Sequence, residues 1–224
     1  MKSVPIIYFS DLLCVWAYFA QPRIDLVKNT YGDQVRFEPK FCSVFGDTAR
    51  KITTAWHGKG EYEGFNAHLH HSAKAFPEIA LHRDLWLTVR PATSNSAHVF
   101  VKAVELIEAE AGCEAGTAQA TAFALRQGFF EHGRDIARWD VQCDIGRQAG
   151  VDVSRVEALF HDGRAFAALA ADYQEATAMG VHGSPTFVLN DGRQKLYGNV
   201  GFRIIDANIQ ELLREPQAGQ ASWC

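Results

Sequence analysis

A short apolar run, Val4 to Phe9, gives way at Cys14 to helical spacing, and an alternating run follows soon after. Pro5 fits the first run only near its start, where a missing N–H does least harm to a strand. Val15, Trp16, Phe19, Ala20, Ile24 and Val27 recur at helical spacing, and Gly32 ends that segment. Val35, Phe37, Pro39 and Phe41 alternate as a strand does. Strand, helix and strand within about 40 residues form a βαβ unit, so the two strands run parallel. The class is α/β.

The far end of the chain returns to strands. Arg164 to Met179 is helical, with Phe166, Leu169, Tyr173 and Ala176 on one face and Gly180 as its stop. Ser184-Pro185 then reads as a tight turn opening a strand over Thr186 to Leu189. Asn190-Asp191-Gly192 is a hairpin signal, and Lys195 to Tyr197 returns antiparallel. A last helix covers about Arg203 to Arg214, and a frayed tail runs from Gln217 to Cys224.

Between the ends the pattern is helical. Ser94 to Glu110 places Ala97, Val101, Val104 and Leu106 or Ile107 on one face, with Ser94 or Asn95 as N-cap and Gly112 as stop. Thr117 to Glu131 carries Phe123, Leu125, Phe129 and Phe130, and Asp140 and Ser154 read as caps of two further helices. Gly46 to Pro91, with glycines at 58, 60 and 64 and an exposed-looking Trp56, reads as loops and a mobile lid. The expected organisation is a core of residues 1–44 and 164–224 interrupted by an all-helical insertion over 45–163.

Composition narrows the function. The 224 residues are 47% hydrophobic and 21% charged, ordinary for a soluble globular protein. A net charge of -4 leaves no basic stripe for nucleic acid. No apolar run approaches the roughly 20 residues of a membrane span. The N-terminal run lacks a signal-peptide cleavage site and leads straight into Cys14, so the expected location is cytoplasmic, in a reducing compartment. A homodimer is expected only from how common two-fold dimers are.

Cys14, Cys42, Cys113, Cys143 and Cys224 form no C-x-x-C pair, which argues against a secreted disulfide framework and a structural zinc site. A cysteine in such a chain is by default an inert buried thiol, and position promotes Cys14 above that default. It sits at the carboxyl end of a parallel strand, where α/β folds collect reactive groups. Unpaired N–H groups and the positive dipole end of a helix start there, favouring thiolate over thiol. Trp16 would shield one side of the sulfur. Asp11 would cap the helix or relay a proton, although its charge also opposes a neighbouring thiolate.

Phe9-Ser10-Asp11-Leu12-Leu13-Cys14-Val15-Trp16-Ala17-Tyr18 and Gly180-Val181-His182-Gly183-Ser184-Pro185-Thr186-Phe187 together resemble the redox motif and cis-proline loop of the DsbA-like thioredoxin-fold oxidoreductase family. The order βαβ, helical block, αββα is similar to that family over the full length, while the motif likeness is confined to residues 9–18 and 180–202. The resemblance implies a thioredoxin-like fold with an inserted helical domain. It also implies catalysis at Cys14, with a cis Ser184-Pro185 bond turning the Ser184 backbone toward a partner chain.

Ala17 stands where the second motif cysteine is usual, so the motif cannot close its own disulfide. The expected function is thiol–disulfide exchange through a single cysteine on a thiol or disulfide substrate, peptide or small molecule. Resolution falls to glutathione as co-substrate, or to Cys42 or Cys224. No tightly bound cofactor is expected.

Kappa-class glutathione transferases and hydroxychromene-carboxylate isomerases are similar too, usually with serine at the position of Cys14. There glutathione itself is the nucleophile. Leu196-Tyr197-Gly198-Asn199, then Phe202-Arg203, resembles their loop for the γ-glutamyl end, with Val200 in place of an acidic residue. That implies Val181, Ser184 and Asn199 as glutathione contacts, and a glutathione-dependent isomerase or transferase on a small aromatic substrate as the alternative. A further alternative is non-catalytic binding of a peptide or partner by a retired redox fold.

Three other groups have ordinary readings as well. His68, His70 and His71 lack the carboxylate or cysteine pattern of a metal site, so no metal is expected. Asn95-Ser96-Ala97-His98 resembles a DsbA-type segment facing the cleft, and reads equally as an N-cap and a surface histidine. Trp56, Phe65, Phe76 and Trp86 are core aromatics or the walls of an apolar cleft facing Cys14.

Overall fold

Strand β1 (Val4–Ser10) is central to the molecule because both of its faces are apolar. In the computed structural model, which describes residues 3–214, it pairs in parallel with β2 (Val35–Phe41) and antiparallel with β3 (Thr186–Leu189). β3 pairs antiparallel with β4 (Gln194–Tyr197), giving the order β2-β1-β3-β4. Ile6 and Tyr8 face a layer formed by α2 (Gln21–Tyr31) and α10 (Phe202–Leu213), in a cluster with Ile24, Val27, Ile205 and Ile209. Phe9 faces the other way, onto Cys42, Val188 and Ala176 of α9 (Arg164–Ala178). Burying each such side chain contributes about 1.5–3 kcal/mol. Pro39 is tolerated because β2 is an edge strand.

The strands, the parallel pairing and the hairpin follow the sequence reading. Asn190, Asp191 and Gly192 all take positive φ, as that tight turn requires.

One helix became two. The segment after Cys14 is α1 (Val15–Phe19), then α2, with Ala20 between them and Pro22 in the first turn of α2. Pro22 has no N–H to donate back to Tyr18, so the helix re-starts there.

The helical middle folds around α5 (Asn95–Ala109), whose buried face includes Ala97, His98, Phe100, Val101 and Val104. It packs against α6 (Thr117–Phe130), α8 (Val153–His161) and α9, while α7 (Trp139–Gln148) closes on α6. Buried Asp172 of α9 ties this block to the sheet, accepting from Phe41 N at 3.0 Å and from Lys102 Nζ at 3.2 Å.

Several local expectations are corrected. Gly46 to Pro91 contains two helices, α3 (Thr48–Ala55) and α4 (Glu61–Ala73), before the turns and loop that follow, and Trp56 is half-buried against Phe65 and His68. Its glycines start and turn helices: Gly60 precedes α4 with φ 86. Asp152, not Ser154, caps α8, accepting from Ser154 N, and Asp140 lies inside α7 bonded to Arg138. Ser94 precedes α5 without capping it, because its hydroxyl is used elsewhere. Among the described residues no helix is long and apolar enough to cross a membrane.

Candidate active site

Cys14 is the N-cap residue of α1, just beyond the end of β1. Opposite it the chain enters β3 through Gly183, Ser184 and Pro185, and the Ser184–Pro185 bond is cis. The Cys14 thiol donates to Ser184 O at 3.2 Å. The Cys42 thiol, one residue past β2, lies 3.8 Å from Gly183 O. Two thiols thus approach adjacent carbonyls of one loop. Thr186 Oγ1 also donates to Gly183 O, at 2.8 Å. Gly183 leaves room for the Tyr197 ring, which a Cβ there would meet at 2.5 Å.

Asp11 holds this geometry. It is fully buried. Its Oδ1 accepts from Leu13 N at 2.9 Å, which fixes the turn into α1. Its Oδ2 accepts from Val44 N, Phe45 N and the Ser94 hydroxyl, each at 2.8 Å. Its own N–H donates to Ser184 Oγ at 2.9 Å, binding the Cys14 turn to the cis-proline loop. The expectation of a helix cap is corrected: Cys14 is the N-cap residue and has no side-chain cap, while Asp11 accepts from Leu13 N in the turn before it. A proton relay does not fit a carboxylate whose oxygens are committed to four donors.

His98 is a second anchor, buried and stacked on Phe41. Its Nε2 accepts from Leu12 N at 3.1 Å. Nδ1 must then carry the hydrogen, facing the Tyr173 hydroxyl at 2.9 Å, and that hydroxyl donates to Asn95 Oδ1 at 2.7 Å. Burial lowers the His98 pKa to about 4, overriding the nearby Asp11 charge, so the ring is neutral at pH 7. Asn95 and His98 are therefore internal supports of the site, not a cap and a surface side chain.

The electrostatics of Cys14 reverse the sequence expectation. Cys14 is 5% exposed, and burial pushes its pKa above the ordinary thiol value. Hydrogen bonding with Ser184 and the Ala17 and Trp16 backbone opposes that rise, and the Asp11 carboxylate adds to it. The N–H groups at the start of α1 act in the expected direction, and burial outweighs them. A thiol donating to a carbonyl is the matching ground state. Cys42 is pushed up too, first by burial and then by Asp11 and Cys14.

Trp16 is half-buried, edge-on to Phe19 and Phe76. The Arg23 guanidinium lies 5.8 Å from the Phe76 ring centre and donates to Asn199 Oδ1. A rim of Trp16, Phe76, Arg23 and Asn199 therefore runs from the start of α1 to the loop after β4. Arg23, unnoticed in the sequence, has a buried Nε without a described partner. Val181 is half-buried in the apolar group around Cys42 and is anchored by its N–H to Ala176 O. Cys143 is buried in α7 and Cys113 half-buried, both away from this loop in sequence and packing. Cys224 lies outside the described residues. Among those residues no cluster of three or more His, Cys, Asp or Glu is placed to hold a metal.

Known proteins share this fold. The cytosolic disulfide reductase DsbM from Pseudomonas aeruginosa superposes with a TM-score of 0.67 at 19% identity, covering 92% of this chain and 98% of that one. The same protein solved with GSH gives 0.65 at 18% identity, covering 92% and 99%. A 2-hydroxychromene-2-carboxylate isomerase gives 0.64 at 19% identity, covering 93% and 95%. These likenesses are of fold. No curated protein sequence matches the chain. The model of the DSBA-like thioredoxin domain matches residues 5–210, nearly the whole chain, and the protein belongs to that family.

Proposed function

We propose that the protein is a monothiol thiol–disulfide oxidoreductase that uses glutathione as co-substrate in the cytoplasm. One observation carries this reading: the Cys14 thiol is hydrogen-bonded to the carbonyl immediately before a cis-proline, at the start of a helix. A partner chain laid along the Ser184 backbone would bring its disulfide to that sulfur. Cys14 loses its proton to solvent and the thiolate attacks one sulfur of the substrate disulfide. The S–S bond breaks, the other sulfur leaves as thiolate, and a mixed disulfide joins Cys14 to the substrate. With Ala17 in the second position, a glutathione thiolate attacks this mixed disulfide at the substrate sulfur. That frees Cys14 and leaves the substrate as its glutathione disulfide, which a second glutathione reduces. The Arg23 Nε and the Asn199 loop supply polar groups on the rim for a glutathione carboxylate. The DsbM structure with GSH supports glutathione as the partner.

The alternative of a glutathione-dependent isomerase or transferase is favoured by one observation, the raised pKa of Cys14. A neutral thiol can donate a hydrogen bond to a glutathione thiolate, as a serine hydroxyl would.

Incubating the reduced protein with oxidised glutathione, then mapping adducts by intact and peptide mass, separates the readings. The oxidoreductase reading expects a glutathione adduct on Cys14 that added thiol removes. A disulfide from Cys14 to Cys42 would name an internal resolving thiol. An unmodified Cys14 in a protein that binds reduced glutathione would overturn thiol exchange in favour of the isomerase or transferase.

A further inference from the structure

A cavity of about 520 Å³ opens where α2, the β2 edge and helices α5 and α6 meet. None of Cys14, Trp16, Ser184 and Pro185 lines it, so it is separate from the site above. Its walls include Ile24, Phe37, Phe41, Val101 and Phe123. Arg126 and Tyr8 also line it, each 6% exposed.

Neither polar group is satisfied by the protein. The Arg126 guanidinium has one described partner, a 2.8 Å bond from Nη2 to Ser10 Oγ, and its buried Nε has none. No ion pair to Arg126 occurs among the described residues. The Tyr8 hydroxyl is also buried without a partner. Burial raises the Tyr8 pKa, so it stays a neutral donor. The carboxylates lining the cavity are committed elsewhere: Glu105 to Lys102, and Glu108 to Gly116 N and Ala118 N at the start of α6. Lys40 is paired with Glu175. Lys28 sits over the Phe37 ring and adds positive charge at the wall.

A buried guanidinium without a counter-charge is destabilising, and an anion would offset that cost. Guanidinium matches a carboxylate with two parallel hydrogen bonds, and a phenol donor can add a third. The apolar walls suit an aromatic or aliphatic body, and the volume falls within the range of small-molecule sites. We propose that this cavity is a second binding site, taking a small organic monocarboxylate whose head group pairs with Arg126 and Tyr8 and whose apolar body lies against Phe37, Phe41 and Phe123.

Calorimetric titration with 2-naphthoate tests this, with 2-naphthamide as the uncharged match in shape. The expected result is binding of the acid and at least about tenfold weaker binding of the amide, the size of one lost charge-assisted contact. Arg126→Gln is expected to lose at least about tenfold in affinity and Tyr8→Phe a few-fold. Because Arg126→Gln removes a buried group and can unfold the chain, the Arg126 Nε–H resonance of the unaltered protein gives an independent reading. It should shift on adding 2-naphthoate and stay still with the amide. Absence of binding at millimolar 2-naphthoate, equal binding of acid and amide, or affinity unchanged in Tyr8→Phe with a static Nε–H resonance would each overturn the proposal.

Discussion

The polar group beneath Cys14 and the polar group beside Arg126 are both buried, yet they are completed to different degrees. Around Asp11 every oxygen has its donors, and beside it a second chain runs from Leu12 N through His98 and Tyr173 to Asn95. Around Arg126 and Tyr8, the Nε–H and the hydroxyl have no partner among the described residues, and Nη2 reaches only Ser10. The contrast separates two uses of buried polarity. A saturated network fixes a backbone turn and cannot take a ligand without breaking. An unsaturated one keeps donors for something that arrives.

The largest effect should come from the saturated side. Asp11→Ala orphans three backbone N–H groups and the Ser94 hydroxyl, and is expected to cost about 4 kcal/mol or more. For a chain of this size that lowers the melting temperature by about 8 to 16 °C, read by calorimetry. A loss under about 1 kcal/mol would mean that the network is not what holds the turn.

His98→Leu ranks next, leaving Leu12 N unpaired at about 2 to 3 kcal/mol. It also sharpens the comparison through pH. The His98 pKa is depressed from 6.5 to about 4 in the fold, so between those values the unfolded chain holds a proton that the folded chain refuses. Its contribution is complete above pH 6.5 and lost as pH falls toward 4, worth roughly 3 kcal/mol in all. Melting curves across that window should steepen in the unaltered protein relative to His98→Leu. Parallel pH profiles would show that His98 does not titrate this way.

Sequence carried the frame of the site better than its internal wiring. Cys14 after an apolar strand and Ser184-Pro185 before another are local signals, legible because each turn is encoded by its own neighbours. Asp11 was visible as a candidate, but its partners Val44, Phe45 and Ser94 lie 33 to 83 residues away, and spacing says nothing of such encounters. Arg126 sits in the middle of α6, where arginine usually points to water, so no local pattern announced its burial. The thiolate expectation failed because burial outweighs the N–H groups of the helix start, and burial of one side chain is set by the whole fold rather than by its neighbours in sequence.

Ser184→Ala removes the acceptor for Asp11 N and is expected to cost about 1 kcal/mol, by urea unfolding. The smallest effect concerns reactivity alone. With its pKa raised, Cys14 should alkylate more slowly at pH 7 than an unshifted thiol, and its rate should still be climbing past pH 9.0. A plateau below pH 8 would place a thiolate at rest and break the reading of Cys14 as a hydrogen-bond donor.

The account stands on Cys14 as the nucleophile of a monothiol exchange. Glutathione-dependent reduction of a fluorescent disulfide peptide by the unaltered protein, Cys14→Ser and Cys42→Ser tests that most directly. Turnover lost in Cys14→Ser and kept in Cys42→Ser is the predicted result. Turnover that survives in Cys14→Ser would contradict it.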